Sequence, residues 1–154
     1  MTTQVAGFRF GMTGSEAAAA CTRSRHQADT VQDGQLLCSG AAESVGFPVE
    51  TVSLWFCNGR LCEVLVIRDS SGKTDAELQQ DLSDLKGQLT GRYGPGVDHK
   101  GAVAWRWDAA SGAVESKVVL QLLEQPKKVV AILYSTKAAL KRDAEQKLRE
   151  KSTV

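Results

Sequence analysis

A helix-start signal occurs twice in this sequence, at Thr13–Glu16 and again at Thr74–Glu77. In each copy the Thr hydroxyl can accept a hydrogen bond from the Glu backbone N–H, while the Glu carboxylate accepts one from the Thr N–H; this is a capping box. A helix-forming stretch follows each copy, and several apolar strand-like segments follow each helix. The sequence therefore predicts one order of elements twice, as an internal repeat does.

The first predicted unit covers residues 5–70. A short strand is expected within residues 5–10, and the alanines at 17–20 favour a helix that continues to about residue 24. Asn58-Gly59 tolerates the positive φ angles of a type I′ turn and predicts a tight hairpin. The strands expected after the helix cover residues 35–39, 49–56 and 61–67.

The second predicted unit covers residues 71–135. Its helix carries an apolar stripe that Tyr93 extends, and Gly94-Pro95-Gly96 is expected to end it. The strands expected after it cover residues 103–107, 114–123 and 127–134. The stripe consists of Leu78, Leu82, Leu85 and Leu89, spaced as one face of a helix requires.

The remaining residues, 136–154, form a charged tail in which Leu140, Ala144 and Leu148 recur every four positions. This spacing predicts a terminal helix with a narrow apolar face. The fold class expected for the whole chain is α+β. Two pseudo-repeated helix-β-β-β units would form an antiparallel sheet with helices on one face, followed by the C-terminal helix.

All four cysteines lie in the first half: Cys21, Cys38, Cys57 and Cys62. Four cysteines allow three pairings. Cys57 and Cys62 flank the predicted hairpin turn, and a disulfide forms there only if the two residues are directly opposite. Cys21 and Cys38 would then pair by exclusion. The alternative is four reduced cysteines that serve as small buried apolar residues.

A structural or catalytic zinc site is a second alternative for these residues. Cys21 and His26 are five positions apart, as are Cys57 and Cys62, but zinc knuckles usually have two intervening residues, and Cys38 would be left over. The other histidine, His99, lies in a predicted loop. No nucleophile elbow or P-loop is present, so the sequence predicts no enzyme, no cofactor and no metal.

Three tryptophans allow two interpretations. Trp105 and Trp107 share one face of a predicted strand, Arg106 points to the other face, and Trp55 belongs to the first unit. Half-buried strands favour aromatic residues, so all three can be core. Tryptophan and arginine are also enriched at binding hot spots, so these four residues are the candidate partner-binding residues.

The net charge of +1 gives no general attraction to nucleic acid, and no basic stripe accompanies the tryptophans. The longest apolar run, Val129–Tyr134, is far shorter than a transmembrane helix requires, so no transmembrane segment is expected. Residues 1–4 lack the features of a signal peptide. The chain is therefore expected in the cytoplasm, or in the periplasm or outside the cell as a mature domain; the paired cysteines favour the latter.

The run Phe8-Arg9-Phe10-Gly11-Met12-Thr13-Gly14-Ser15-Glu16 resembles the F-x-x-G-M-T/S-x-x-E opening of small exported bacterial domains. These are the BamE (SmpA)-like domains and the β-lactamase inhibitor proteins. The resemblance implies tandem α/β units whose sheet grips a partner, and a helix-to-strand disulfide that Cys21 and Cys38 are placed to imitate. The second unit lacks cysteines where the inhibitors have a disulfide, so the resemblance does not point to β-lactamase as the target.

The first hypothesis is therefore a non-enzymatic protein-binding or envelope-assembly module that engages another protein through an open sheet face. A zinc- or thiol-dependent enzyme that uses Cys21, His26, Cys57 and Cys62 is the second. The third is a cytoplasmic adaptor that docks through its C-terminal helix. Neither the partner nor the oligomeric state follows from the sequence.

Overall fold

The computed structural model describes residues 4–23, 27–32, 34–44, 47–108, 114–124 and 128–152. The helices are α1 (Gly14–Arg23), α2 (Asp75–Tyr93) and α3 (Lys137–Ser152). The strands are β1 (Gln4–Val5), β2 (Phe8–Arg9), β3 (Gln27–Gln32), β4 (Gln35–Ser44), β5 (Phe47–Cys57), β6 (Arg60–Asp69), β7 (Val97–His99), β8 (Ala102–Asp108), β9 (Val114–Leu123) and β10 (Val129–Ser135).

The α+β class is confirmed. Eight strands form one antiparallel sheet in the order β3-β4-β5-β6-β10-β9-β8-β7, and β1 and β2 form a separate two-stranded sheet. Strands from both predicted units thus join a single sheet, in which the last strand of each unit pairs with the other. Four strands follow each of the first two helices, not the predicted three, because β3 and β7 are additional edge strands.

Both predicted capping boxes are present. At the start of α1, the Glu16 N–H donates to Thr13 Oγ1 over 3.2 Å and the Thr13 N–H donates to Glu16 Oε1 over 3.0 Å. At the start of α2, the corresponding bonds between Thr74 and Glu77 are 3.2 and 3.1 Å. The hydrogen bonds from each Thr hold the pKa of the two Glu carboxyls below the ordinary value, because they favour the charged form.

The leucine stripe places α2 on the sheet. Leu78, Leu85 and Leu89 are buried, while Leu82 is only partly buried against the same cluster, so the stripe is narrower than predicted. The helix ends where Gly94 takes a φ of 84°, a conformation that L-residues with a Cβ rarely adopt. Trp105 then caps this end of the helix from the sheet, because its Nε1 donates to the Gly94 carbonyl over 2.8 Å.

The main core lies between the sheet and the first two helices. Ala17, Ala20 and Cys21 of α1 belong to the same buried cluster as the leucines of α2. On the sheet, two rows of apolar side chains cross six strands and face these helices. One row is Leu36, Leu54, Val64, Tyr134, Val118 and Trp105, and the other is Cys38, Val52, Val66, Ile132, Leu120 and Val103.

The predicted hairpin at Asn58-Gly59 is also confirmed. Both residues have positive φ angles, 50° and 75°, as a type I′ turn requires. A second two-residue turn of the same kind, Lys100-Gly101, joins β7 to β8 with φ angles of 49° and 83°. The sequence predicts only a loop at this second turn, because Lys at a positive φ is an uncommon turn signal.

Candidate functional site

The sheet has a second face that points away from α1 and α2. Side chains alternate along a strand, so the neighbours in sequence of the core residues lie on this opposite face. On this second face, one line of cross-strand partners crosses all eight strands, and we call it the central row. Its apolar side chains include Leu37, Leu65, Leu133 and Val119, which are half-buried. We call the following set the open face: Asp29, Leu37, Ser53, Leu65, Leu133, Val119, Ala104 and Val97 of the central row, with Ile67 beside it.

The β7 edge of the open face carries an exposed apolar side chain. Val97 is 68% exposed, and it pairs with Ala104 of the central row. Small residues such as Ser53 and Ala131 are buried by their larger neighbours, at 2% and 4% exposure. The open face is thus a mostly apolar strip, interrupted by Ser53, that is partly accessible to solvent.

Helix α3 covers one end of this second face. Ala139 is fully buried there, and Arg142 Nη2 donates to Glu63 Oε1 over 3.1 Å. The Ser135 hydroxyl donates to the other oxygen of Glu63 over 2.8 Å. Burial lowers the pKa of Arg142, but the hydrogen bond to Asp143 and the charge of Glu63 outweigh it, and the pKa is raised overall. Glu63 is therefore a buried carboxylate with a cationic partner, the only kind of setting in which a buried charge is usual.

Two cations lie beside this covered end. Arg106 of β8 and Lys117 of β9 are direct cross-strand partners, and the same row continues through Ser135 and Glu63 to Trp55. Arg106 is exposed and Lys117 is half-buried. The two cationic side chains therefore lie on neighbouring strands, on the same face of the sheet as the open face.

Two of the tryptophans proposed as partner-binding residues lie on the core face instead. Trp105 is 3% exposed, because it packs against the end of α2. Trp107 is half-buried and meets the ring of Tyr93 edge-to-face, with centroids 5.2 Å apart. The core interpretation therefore fits both residues, and in this conformation Trp105 has no ring surface to offer a partner.

The other two candidates do lie on the face of the sheet that carries the open face. Trp55 is half-buried in the row of Glu63, and Arg106 is exposed at the other end of that row. The structure therefore separates the four candidates into two pairs on opposite faces of the sheet. Only Trp55 and Arg106 can contribute to one surface with the open face.

The cysteines form the two predicted disulfides. The condition that Cys57 and Cys62 must be directly opposite was wrong, because Cys57 faces Arg60 and Cys62 lies at a register shift between the two strands. Cys21 bonds to Cys38 with their Cα atoms 5.8 Å apart, and Cys57 bonds to Cys62 with their Cα atoms 5.7 Å apart. Sulfurs held in disulfides are not thiolate ligands, so this state offers zinc no cysteine. His26, the fourth residue of the zinc hypothesis, lies outside the described residues, and His99 is exposed at the end of β7.

The site residues predicted from the sequence do not include Glu63, Arg142 or Lys117. Glu63 could have been noticed, because it is the one charged residue in the run Leu61–Ile67, whose other members are apolar residues and a cysteine. A charge within a buried strand needs a partner. No comparable signal identified Arg142 as that partner, since it is one of several cations in the tail. Lys117 becomes notable only once β9 is placed beside β8.

Comparison of the chain with protein-family models, with curated proteins and with solved structures found no significant match. The resemblance to BamE-like and inhibitor-like domains therefore stays a prediction. Two disulfides are typical of proteins from oxidising, extracytoplasmic environments. Within the described part of the chain, no helix is both long and apolar enough to cross a membrane.

Proposed function

We propose that this chain is a non-enzymatic protein-binding or envelope-assembly module that engages its partner through the open face. The observation that carries the proposal is the apolar strip from Leu37 to Val97, which α1 and α2 do not cover. Contiguous apolar surface that is accessible to solvent commonly marks an interaction site. Trp55 and Arg106, both of residue types enriched at hot spots, lie in the neighbouring row.

The charge at the end of the strip indicates the chemistry of the partner. Lys117 is a half-buried cation in the row beside the strip, and a partner carboxylate next to it would gain an ion pair. The partner segment that fits is therefore an apolar one with an Asp or Glu at one end. Electrostatic complementarity of this kind fixes the orientation of the partner and speeds association.

The experiment is affinity capture from an envelope extract of the source organism, with the full chain as bait. Val97→Glu and Val119→Glu place a charge on the open face and are expected to abolish capture of the wild-type partner. Lys117→Glu is expected to weaken capture more than Lys117→Met does, because it reverses the charge. Gln88→Glu, on the exposed side of α2, is the matched control and is expected to capture normally. Capture that survives both valine substitutions would overturn the proposal.

Folding of each variant is checked by circular dichroism and thermal unfolding before capture. A photo-reactive residue at position 119 provides a second measurement, because it should form a covalent bond to the partner. A cross-link only from a probe on α2 would place the partner on the other side of the protein and would also overturn the proposal.

A second candidate function is docking of a partner helix on α3. The observation in its favour is Leu148, which is 67% exposed on the half of α3 that follows Arg142. Leu148→Glu separates the two candidates, because it should abolish capture through α3 and leave capture through the open face intact.

We also propose that residues 5–70 and 71–135 are two copies of one repeat, with the C-terminal helix an addition. The two capping boxes, the order of one helix and four strands in each half, and the antiparallel pairing of β6 with β10 support it. The periplasm or the extracellular space is the proposed location. Protein isolated from there should have an intact mass about four daltons below that of the fully reduced chain, one hydrogen lost for each sulfur. Four free thiols would instead place it in the cytoplasm.

A further inference from the structure

The two disulfides differ in their surroundings. Cys21 is fully buried and Cys38 is 5% exposed, so this bond is enclosed between α1 and β4. Cys57 is half-buried beside the exposed turn Asn58-Gly59, whereas its partner Cys62 is 2% exposed. Cys57 is therefore the most exposed of the four cysteines, and the second disulfide is the more accessible to an external thiol.

A cation lies against the second disulfide. Arg142 Nη1 is 3.8 Å from Cys57 Sγ and 3.7 Å from Cys62 Sγ, while Nη2 of the same guanidinium is bonded to Glu63 and Asp143. A nearby guanidinium stabilises a thiolate and lowers the pKa of the thiol. Thiol–disulfide exchange is faster when the departing thiol has a lower pKa.

An entrance to this bond is also present. A cavity of about 580 Å³ opens between α3 and the β5–β6 hairpin, with Cys57 in its wall. The charged residues of the wall are three cations and one anion, Lys141, Arg142, Arg149 and Glu145. The cavity therefore gives an external thiolate a path to Cys57.

We propose that the Cys57–Cys62 disulfide is a site of reversible thiol–disulfide exchange, attacked at Cys57, in which Arg142 stabilises the departing Cys62 thiolate. The co-reactant is a dithiol. One thiolate of the dithiol attacks Cys57 Sγ; the Cys57–Cys62 bond breaks, and Cys62 leaves with the electron pair. The second thiol, as thiolate, attacks the sulfur of its own molecule that is now bonded to Cys57, and Cys57 leaves as thiolate.

Electrons and protons balance over the two exchanges. The dithiol loses two electrons and two protons and becomes a cyclic disulfide. Cys57 and Cys62 gain those electrons and take up two protons to become thiols. Arg142 is a positioning residue in this reaction, since it forms no bond to sulfur and acts through its charge.

The experiment follows reduction of the full-length oxidised protein by dithiothreitol, with iodoacetamide quenching and peptide mass spectrometry at each cysteine. Cys57 and Cys62 are expected to be alkylated at least tenfold faster than Cys21 and Cys38. With glutathione as a monothiol probe, the trapped mixed disulfide is expected on Cys57. Equal rates for the two disulfides, or glutathione trapped on Cys62, would overturn the proposal.

The role of Arg142 is tested by Arg142→Met, which keeps the length of the side chain and removes its charge. Reduction of Cys57–Cys62 is expected to slow by about three- to tenfold, because the leaving thiolate loses its cation. If Arg142 only shielded the disulfide from the reductant, Arg142→Met would make reduction of Cys57–Cys62 faster. An unchanged or faster rate of reduction therefore contradicts the proposed role. Arg142→Lys is expected to recover part of the rate, and Lys147→Met, on the exposed side of α3, to leave it unchanged.

Discussion

Arg142 and Glu63 form an ion pair with 3.1 Å between Nη2 and Oε1, although the two residues are 79 positions apart in the sequence. The pair fastens α3 to β6, the strand at the middle of the sheet. Glu63 is the buried member, with its side chain 10% exposed against 33% for Arg142. Loss of the arginine therefore leaves a carboxylate in a site that water reaches poorly.

Arg142→Ala is expected to lower the free energy of unfolding by about 1–3 kcal/mol, the range for hydrogen bonds to charged groups after allowance for the exposed part of the arginine. Urea denaturation measures the change. Lys147→Ala on the same helix is the control and should change the free energy by less than about 0.5 kcal/mol. Equal effects of the two substitutions would show that the ion pair does not hold α3.

The leucine stripe of α2 gives a graded prediction. Leu85 is 3% exposed and Leu82 is only partly buried. Leu85→Ala is expected to lower the free energy of unfolding by about 2–5 kcal/mol, because contacts are lost and a cavity remains. Leu82→Ala is expected to lower it clearly less. Chemical denaturation of both variants tests the order, and Ser83→Ala, on the exposed side, provides a baseline. A larger loss at Leu82 than at Leu85 would mean that the helix is rotated from the orientation described.

Substitution of two glycines by alanine should change the stability of the fold in opposite directions. A Cβ at Gly96 would lie 2.6 Å from Val103 Cγ1 and 2.8 Å from Trp105 Cε2, so Gly96→Ala is expected to destabilise the fold by about 1–3 kcal/mol. Gly91, inside α2, has open space around the same position, and Gly91→Ala is expected to add about 0.5–1 kcal/mol through helix propensity. Thermal unfolding measures both. A neutral Gly96→Ala would contradict the close approach of this segment to Trp105.

The capping box of α2 predicts a dependence on pH. The bonds from Thr74 lower the pKa of Glu77 from its ordinary value of 4.5, so the folded state releases this proton more readily than the unfolded state. The resulting stability is complete above pH 4.5 and is lost as the pH falls through the lowered pKa. Glu77→Gln keeps the hydrogen-bond acceptor but does not titrate, so its stability should decline less between pH 5 and pH 3 than that of the wild type.

Local signals allowed the sequence to predict much of the fold. The capping boxes and the turn at Asn58-Gly59 depend on interactions between residues close in sequence, and each has the predicted structure. The helix of the stripe Leu78–Leu89 is also present, although Leu82 is only partly buried. Strands β3 and β7 were missed for the opposite reason. Gln27–Gln32 is mostly polar and Val97–His99 has only three residues, so backbone pairing with a neighbour holds them, not an apolar pattern.

The candidate site was harder to predict, because it depends on which strands are neighbours. The alternation of Trp105, Arg106 and Trp107 correctly separated the arginine from the two rings. The alternation does not show which face of the sheet the helices cover. The sequence therefore allowed the two rings to be binding residues, whereas the structure has them packed in or against the core. The pairing of Arg106 with Lys117, and of Glu63 with Arg142, follows only from the three-dimensional arrangement.

The seven-residue pairing of β6 with β10 has a consequence for how the chain is made. The ribosome completes β6 about sixty residues before the first residue of β10, so for that time β6 has no partner along one backbone edge. An unpaired edge is a template for strands of other chains, and contacts this distant in sequence form slowly. The nascent first half therefore has the greatest risk of aggregation between completion of Asp69 and arrival of Val129, when the final strand closes the middle of the sheet.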